Sequence, residues 1–150
     1  MTAEPVSIAH ADAMAAINAA AFPPEEAWLP NVISLHVGQP GGFGYIDRRG
    51  GMVLARTTMD EAEILTIAVI PQAQRQGLGR ELMRAAIRHA AAAGADVMYL
   101  EVAEENTAAR HLYKSLHFEE IGRRKRYYEN GDDALVMRLV LSRPVANTAC

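Results

Sequence analysis

The chain has 150 residues, of which 50% are apolar, and a formal net charge of −3. This length predicts a single domain with a substantial core, and the weakly acidic balance argues against a nucleic-acid-binding protein. No apolar run is long enough to span a membrane, and the first ten residues lack the regions of a signal peptide, so we expect a cytoplasmic protein without a membrane partner. The five histidines lack metal-ligand spacing and the single cysteine, Cys150, has no internal partner, so we expect neither a metal site nor a disulfide.

The first 40 residues predict a strand followed by two helices. Residues 6–8 are typical of a short strand, and residues 10–22 are rich in alanine, with larger apolar residues at helical spacing. Two consecutive prolines end this helix. Glu25 and Glu26 then predict the first turn of a second helix, because acidic side chains are favourable next to the positive end of the helix dipole.

Three strands follow the second helix. Residues 42–47 and 52–59 are predicted strands, joined by a turn at residues 48–51 that carries two glycines. The apolar run at residues 64–70 predicts a third strand, which Pro71 ends because proline cannot donate a hydrogen bond to a neighbouring strand.

A glycine-bearing loop separates this strand from a predicted helix, whose apolar face repeats along residues 82–90. Gly77 and Gly79 let the backbone approach an anion closely, and the first free N–H groups of the helix point towards it. Arg75 and Arg80 add positive charge on either side of the glycines. Strand, loop and helix in this order predict a phosphate-binding site, and an ordinary strand-to-helix turn is the alternative.

The rest of the chain predicts a strand, a helix and a strand hairpin. The helix begins after Asn106, a favourable N-cap, and ends near Leu116. Asn130 and Gly131 are typical of a hairpin turn. Residues 143–150 have no pattern and are expected to form a disordered tail. The strands predicted in this part are residues 97–103, 118–130 and 134–141.

Residues 1–142 therefore predict a single α/β domain with the order β-α-α-β-β-β-α-β-α-β-β, a mixed sheet with helices on both sides. This order resembles the fold of the GNAT N-acetyltransferases. Residues 74–79, QRQGLG, match the Gln/Arg-x-x-Gly-x-Gly pyrophosphate loop of that family, whereas neither the P-loop nor the dinucleotide pattern fits. The segments RRKRYY at 123–128 and DALVMRL at 133–139 resemble the bacterial ribosomal-protein-alanine N-acetyltransferases of the RimI type.

The resemblance implies acetyl-CoA as co-substrate, from which acetyl passes to a primary amine by direct attack. RimI-type enzymes acetylate the N-terminal alanine of a small-subunit ribosomal protein, so the resemblance implies a basic protein N-terminus as acceptor. It also implies that the N–H of Val69 polarises the thioester carbonyl. Asn106 either touches the CoA arm or only caps its helix, and both roles are compatible. The expected acetyl-CoA-binding residues are Ile67, Ala68, Val69, Gln74, Arg75, Gln76, Gly77, Leu78, Gly79, Arg80, Asn106 and Tyr113.

Two side chains are candidates for the catalytic groups. An α-amino group has a pKa of about 8, so a base must remove its proton before it attacks at neutral pH. Glu101 is the candidate base, and it acts directly or through a water. It interrupts an apolar strand on the side of Val97 and Tyr99, where partial burial would raise its pKa towards a value useful for a base. The match to LEV at residues 100–102 favours this role over that of an exposed glutamate near a strand end. By the same resemblance Tyr113 is the general acid that protonates the leaving thiolate, and a core tyrosine is the alternative.

The acceptor side departs from the RimI type. Pro24 stands where those enzymes usually have tryptophan, and Trp28 follows four residues later. His117 replaces a glycine that would take positive φ freely. We interpret residues 123–128 as one strand whose alternate side chains face opposite ways, with solvated charges and its two tyrosines near the acceptor mouth. Five carboxylates either favour a basic peptide or are plain surface charge: Glu25, Glu26, Glu129, Asp132 and Asp133.

Three functions remain open at this point. The chain is an acetyltransferase of protein N-termini, a GNAT enzyme acting on a small-molecule amine or a lysine side chain, or a catalytically silent acetyl-CoA-binding module. The first two differ only at the acceptor side, and the presence of both Glu101 and Tyr113 argues against the third. The sequence leaves the oligomeric state open.

Overall fold

A computed structural model describes residues 3–128 and 131–141 of the protein. Within these ranges, four helices cover the two faces of a seven-stranded mixed sheet, which confirms the predicted α/β class and order of elements. The predicted tail with Cys150, and Glu129 and Asn130, lie outside the described residues. The strands are β1 (Glu4–Pro5), β2 (Gly42–Asp47), β3 (Gly51–Thr58), β4 (Glu61–Val69), β5 (Val97–Ala103), β6 (Glu119–Arg124) and β7 (Ala134–Val140). The helices are α1 (Ala11–Ala21), α2 (Pro30–Gly38), α3 (Leu78–Ala92) and α4 (Thr107–Ser115), with 3₁₀ turns at Ile8–His10 and Pro71–Ala73.

The sheet separates at its centre. Its strand order is β1-β2-β3-β4-β5-β7-β6, and β4 and β5 are its only parallel neighbours within the described ranges. Residues 61–63 of β4 pair with residues 97–99 of β5, and beyond these the two strands part. Leu65 of β4 is skipped in the pairing with β3, and such a bulge bends a strand locally. A gap therefore opens between the second half of β4 and the second half of β5.

Apolar side chains hold the helices against both faces of the sheet. On one face, α1 and α2 bury Met14 and Ile33 completely. On the other face, under α3 and α4, the predicted apolar stripe of α3 packs on the sheet, with Ile87 half-buried and Leu82, Met83, Ala86 and Ala90 buried.

In the described part of the chain, no helix combines the length and the apolar character needed to cross a membrane, and no three metal-ligating side chains are grouped.

Two predictions for the first 40 residues are wrong. The first strand is Glu4–Pro5 instead of residues 6–8, because the Ser7 hydroxyl accepts a hydrogen bond from the N–H of Ala9 at 3.3 Å and starts a 3₁₀ turn. Glu25 and Glu26 do not begin a helix. They lie in a single turn closed by the carbonyl of Pro23, which accepts from two N–H groups at 2.9 and 3.0 Å. The second helix starts at Pro30, whose fixed φ suits the first helical position.

The predicted strand at residues 118–130 is too long. β6 ends at Arg124, because Arg126 has a φ of 53°, which interrupts an extended chain. The N–H of Arg126 donates to Oδ1 of Asp133 at 2.9 Å and fixes the turn. The alternation predicted for residues 123–128 therefore stops after the second residue, and Tyr128 belongs to a turn.

Candidate active site

The gap between β4 and β5 forms a cavity of about 860 Å³. Residues 64–69 of β4 and 100–103 of β5 form its walls. One end is bounded by the loop before α3 and by α4, and the other by the segment between α1 and α2 and by the turn between β6 and β7.

The open edge of β4 offers backbone donors to this cavity. The N–H of Ile70 donates to the carbonyl of Gly50 at 2.8 Å, and N–H groups alternate in direction along an extended chain. The N–H of Ala68 therefore points to β3, and those of Ile67 and Val69 point into the gap. Of the three predicted backbone residues, Ile67 and Val69 are in position to donate to a bound molecule.

The loop before α3 leaves space and positive charge at one end of the cavity. Gly77 is the N-cap of α3 with a φ of 78°, and a Cβ placed there would meet no atom within 4 Å. No side chain caps this helix, so the N–H groups of its first turn are available to an anion. Arg75 and Arg80 line the same end. Gln74 also lines the cavity, and its Nε2 donates to the carbonyl of Val69 at 3.0 Å, which braces the loop against β4.

Glu101 projects from β5 on the side of Val97 and Tyr99, as predicted, and lines the cavity. Its Oε1 lies 3.4 Å from Nη2 of Arg124. Its Oε2 is buried and has no hydrogen-bond partner among the described residues. Leaving a buried carboxylate oxygen unpaired is costly, so this atom is available to an N–H group of a substrate.

Tyr113 is buried on α4 and lines the cavity. Its ring packs edge to face against Phe118, with 5.9 Å between the ring centroids. Burial raises the pKa of its hydroxyl well above the ordinary value, so the group keeps a proton that it can donate. Asn106 caps α4 as predicted, with Oδ1 accepting from the N–H of Ala109 at 3.1 Å, and it also lines the cavity.

The end formed by the segment between α1 and α2 and by the turn after β6 is aromatic and acidic. Burial, with a smaller contribution from the charge of Glu101, raises the pKa of Tyr128 to about 12. Asp133 does not line this end, because its carboxylate accepts from the N–H of Arg126 at 2.9 Å and from Nη1 of Arg123 at 2.8 Å. Asp132 is also outside the lining among the described residues. The residues that line this end of the cavity are Phe22, Glu25, Glu26, Trp28, Tyr127 and Tyr128.

Most predicted site residues come together here. Every one lines the cavity except Gln76, whose Nε2 donates to the carbonyl of Gln72 at 3.4 Å. Sequence reasoning misses Arg124, which pairs with Glu101 and lies over the ring of Tyr127, 5.4 Å from the ring centroid. No local pattern identifies that contact, since it depends on where β6 ends.

The chain matches the Acetyltransferase (GNAT) family over residues 10–118. It is 36% identical over 149 residues to the N-alpha-acetyltransferase RimI of Mycobacterium tuberculosis, an alignment that covers 90% of this chain and 92% of the relative. It is 38% identical over 99 residues to the ribosomal protein bS18-alanine N-acetyltransferase of Salmonella typhimurium, with 64% and 67% covered. The crystal structure of the ribosomal-protein-S18-alanine N-acetyltransferase from Escherichia coli superposes with a TM-score of 0.83 at 30% identity, covering 95% of each chain.

The family match includes the glycine loop, both candidate catalytic residues and most of the sheet. The Mycobacterium tuberculosis relative aligns with nearly the whole chain. The chain therefore belongs to the GNAT acetyltransferase family and is an acetyl-CoA-dependent N-acetyltransferase.

Proposed function

We propose that the enzyme acetylates the N-terminal α-amine of a protein, with the alanine of a basic ribosomal protein as the favoured acceptor. One observation carries the proposal: a single cavity joins the glycine loop to an acidic mouth, and the unpartnered Oε2 of Glu101 lies on its wall. The relatives named for the alanine of ribosomal protein bS18 support the choice of acceptor. Such an acceptor would be met in the cytoplasm.

Acetyl-CoA enters from the end that carries the loop. Its pyrophosphate is held by the free N–H groups at the start of α3 and by Arg75 and Arg80. The pantetheine arm lies along the open edge of β4 and accepts hydrogen bonds as a neighbouring strand would. The N–H of Val69 donates to the thioester oxygen, where negative charge develops during attack.

The acceptor enters from the other end as an ammonium ion. An α-amine with a pKa of about 8 is only about one-tenth neutral at pH 7, so proton removal limits attack. Oε2 of Glu101 takes this proton, directly or through one water. The amine nitrogen then attacks the thioester carbon, and the carbonyl oxygen of the thioester becomes negative.

Tyr113 completes the transfer. As the carbon–sulfur bond breaks, the electron pair goes to sulfur and the Tyr113 hydroxyl protonates the thiolate. The new amide nitrogen gives up its extra proton, which restores the hydroxyl. The products are the acetylated N-terminus and free CoA, and the proton held by Glu101 is released to solvent.

The decisive experiment compares acceptors of equal charge. The wild-type enzyme receives acetyl-CoA and a basic peptide with N-terminal alanine, the same peptide with a blocked N-terminus and an internal lysine, or spermidine. Thiol release gives the rates, and mass spectrometry locates the acetyl group. We expect the α-amine to be the preferred site, in part because a lysine amine has a pKa more than about two units higher.

Acetylation of lysine alone, or a clear preference for spermidine, would contradict the proposed acceptor and assign the enzyme to another amine. In that case the glycine loop, Glu101 and Tyr113 keep the same chemical roles. Glu101→Gln, measured at pH 7, serves as the matched slow control for each acceptor.

A further inference from the structure

A buried amide links the acceptor-side segment to the sheet. Asn18 of α1 is fully buried, with 0% of its surface exposed. Its Oδ1 accepts a hydrogen bond from the N–H of Trp28 at 2.8 Å, and its Nδ2 donates to Oγ1 of Thr66 at 3.0 Å. The same Nδ2 lies 3.7 Å from Sδ of Met52. One side chain thus connects α1, the segment between α1 and α2, and β4.

Both partners of Asn18 belong to the active-site cavity. Trp28 lines the acceptor end together with Phe22, and the N–H of Phe22 donates to the main-chain carbonyl of Asn18 at 3.0 Å. Thr66 lies directly after the bulge at Leu65 and lines the wall of β4. The amide therefore fixes the distance between the acceptor-side segment and the strand that presents the backbone donors.

We infer that Asn18 is a positioning residue for the acceptor, which it places by holding residues 22–29 against the bulged part of β4, an inference that rests on the proposed function. The segment has little regular structure of its own, since its internal hydrogen bonds close a single turn on Pro23. An irregular segment that carries binding residues depends on such anchors for its geometry. Asn18 touches neither substrate and acts through Trp28 and Thr66.

The inference predicts an effect on one substrate only. Without the amide, the N–H of Trp28 and the hydroxyl of Thr66 lose a buried partner, and the segment moves to regain one. The acceptor then meets a displaced mouth. Acetyl-CoA meets an unchanged site, because β4 stays paired with β3 and the glycine loop and α3 lie on the other face of the sheet.

Asn18→Leu tests this with a side chain of similar size that forms no hydrogen bonds. We expect the KM for the acceptor peptide to rise roughly tenfold, as for the loss of a buried hydrogen-bond partner, and the Kd for acetyl-CoA to stay as in wild type. Thr66→Val removes only the hydroxyl and should give a smaller increase, while Thr66→Ser restores it. The increase caused by Thr66→Val should disappear in the Asn18→Leu background, since the bond is already absent.

Trp28 provides a measurement that does not depend on activity, because it is the only tryptophan in the sequence. Its fluorescence reports the position of the segment directly. We expect Asn18→Leu to increase quenching of this fluorescence by acrylamide. Met98→Ala is the matched control, since Met98 is fully buried but belongs to the core cluster on the other face of the sheet, away from Trp28. It should lower the melting temperature and leave both the quenching and the peptide KM as in wild type.

Equal quenching in Asn18→Leu and wild type, or an equal loss of affinity for both substrates, would overturn the inference. If Asn18→Leu does not fold, Thr66→Val tests the role of Asn18 instead. Quenching and a peptide KM equal to those of wild type in Thr66→Val would also overturn the inference. If the wild-type enzyme does not acetylate the peptide, the proposed acceptor is wrong. The comparison of fluorescence quenching then still tests the role of Asn18.

Discussion

Replacing Glu101 by glutamine separates proton removal from the other steps. The amide has nearly the shape of the carboxylate, and only the ion pair with Arg124 is lost. That ion pair contributes little to stability, because the Arg124 side chain is 58% exposed and such pairs contribute about 0–1 kcal/mol. We therefore expect Glu101→Gln to fold with nearly the wild-type melting temperature and to bind acetyl-CoA normally.

The loss of rate in Glu101→Gln, and its dependence on pH, follow from the pKa of the acceptor amine. A positioned general base typically contributes roughly a hundredfold to ten-thousandfold, so the variant should be slower by that factor at pH 7. With an α-amine pKa of about 8, the neutral fraction rises from about one-tenth at pH 7 to about nine-tenths at pH 9. The deficit of the variant should therefore shrink about ninefold over this interval, because the variant depends on amine that is already neutral.

Thiol release from acetyl-CoA at saturating peptide measures both profiles, after subtraction of hydrolysis without peptide. Glu63→Gln is the matched control, since Glu63 lies on the neighbouring strand, is 40% exposed and pairs with Arg56 at 3.0 Å. A Glu101→Gln profile that runs parallel to that of wild type would refute this role for Glu101, and so would a rate equal to that of the Glu63→Gln control.

Four further predictions concern single features. Gly77→Asn, which tolerates the observed φ of 78°, should keep the melting temperature and weaken acetyl-CoA binding at least roughly tenfold; unchanged affinity by calorimetry would contradict the loop as the pyrophosphate site. Tyr113→Phe should fold and turn over roughly tenfold to a thousandfold more slowly, whereas a wild-type rate would make it only a core residue. His117→Gly should raise the melting temperature by about 2–4 °C, since a φ of 75° costs about 1 kcal/mol in a non-glycine residue; no gain in thermal unfolding argues against this strain. Glu25→Gln combined with Glu26→Gln should raise the KM of a basic peptide and reduce its dependence on salt, and an unchanged salt dependence would exclude charge steering at the mouth.

Strand positions are well predicted where local signals agree. β2 and β5 cover residues 42–47 and 97–103, as the apolar runs and their flanking turn residues indicate. The start of α2 is mispredicted because two signals compete. Glu25 and Glu26 suit a first helical turn, yet Pro30 also suits the first helical position, and only the turn closed by Pro23 decides between them.

Features of the site are likewise predictable where they depend on residues close in sequence, and not where they depend on distant contacts. The loop with Gly77 is recognisable because its function depends on residues adjacent in sequence. The partner of Glu101 is not recognisable, since the pairing with Arg124 depends on the end of a distant strand. Asn18 and Thr66 are 48 residues apart, and only the packing of α1 on the sheet brings them together. A polar residue on the buried side of an alanine-rich helix is the sequence signal that points to such a contact.

The short pairing of β4 with β5 has a mechanical consequence. Only three residue pairs join two parts of the sheet there, one made of β1 to β4 and the other of β5, β7 and β6. Substrates that fill the gap contact both parts and replace some of the missing contacts between them. Binding free energy thereby adds to the free energy of unfolding, and a saturating ligand at about a hundred times its Kd contributes about 2.7 kcal/mol. Amide hydrogens of β4 and β5 near the gap should exchange more slowly once both substrates are bound.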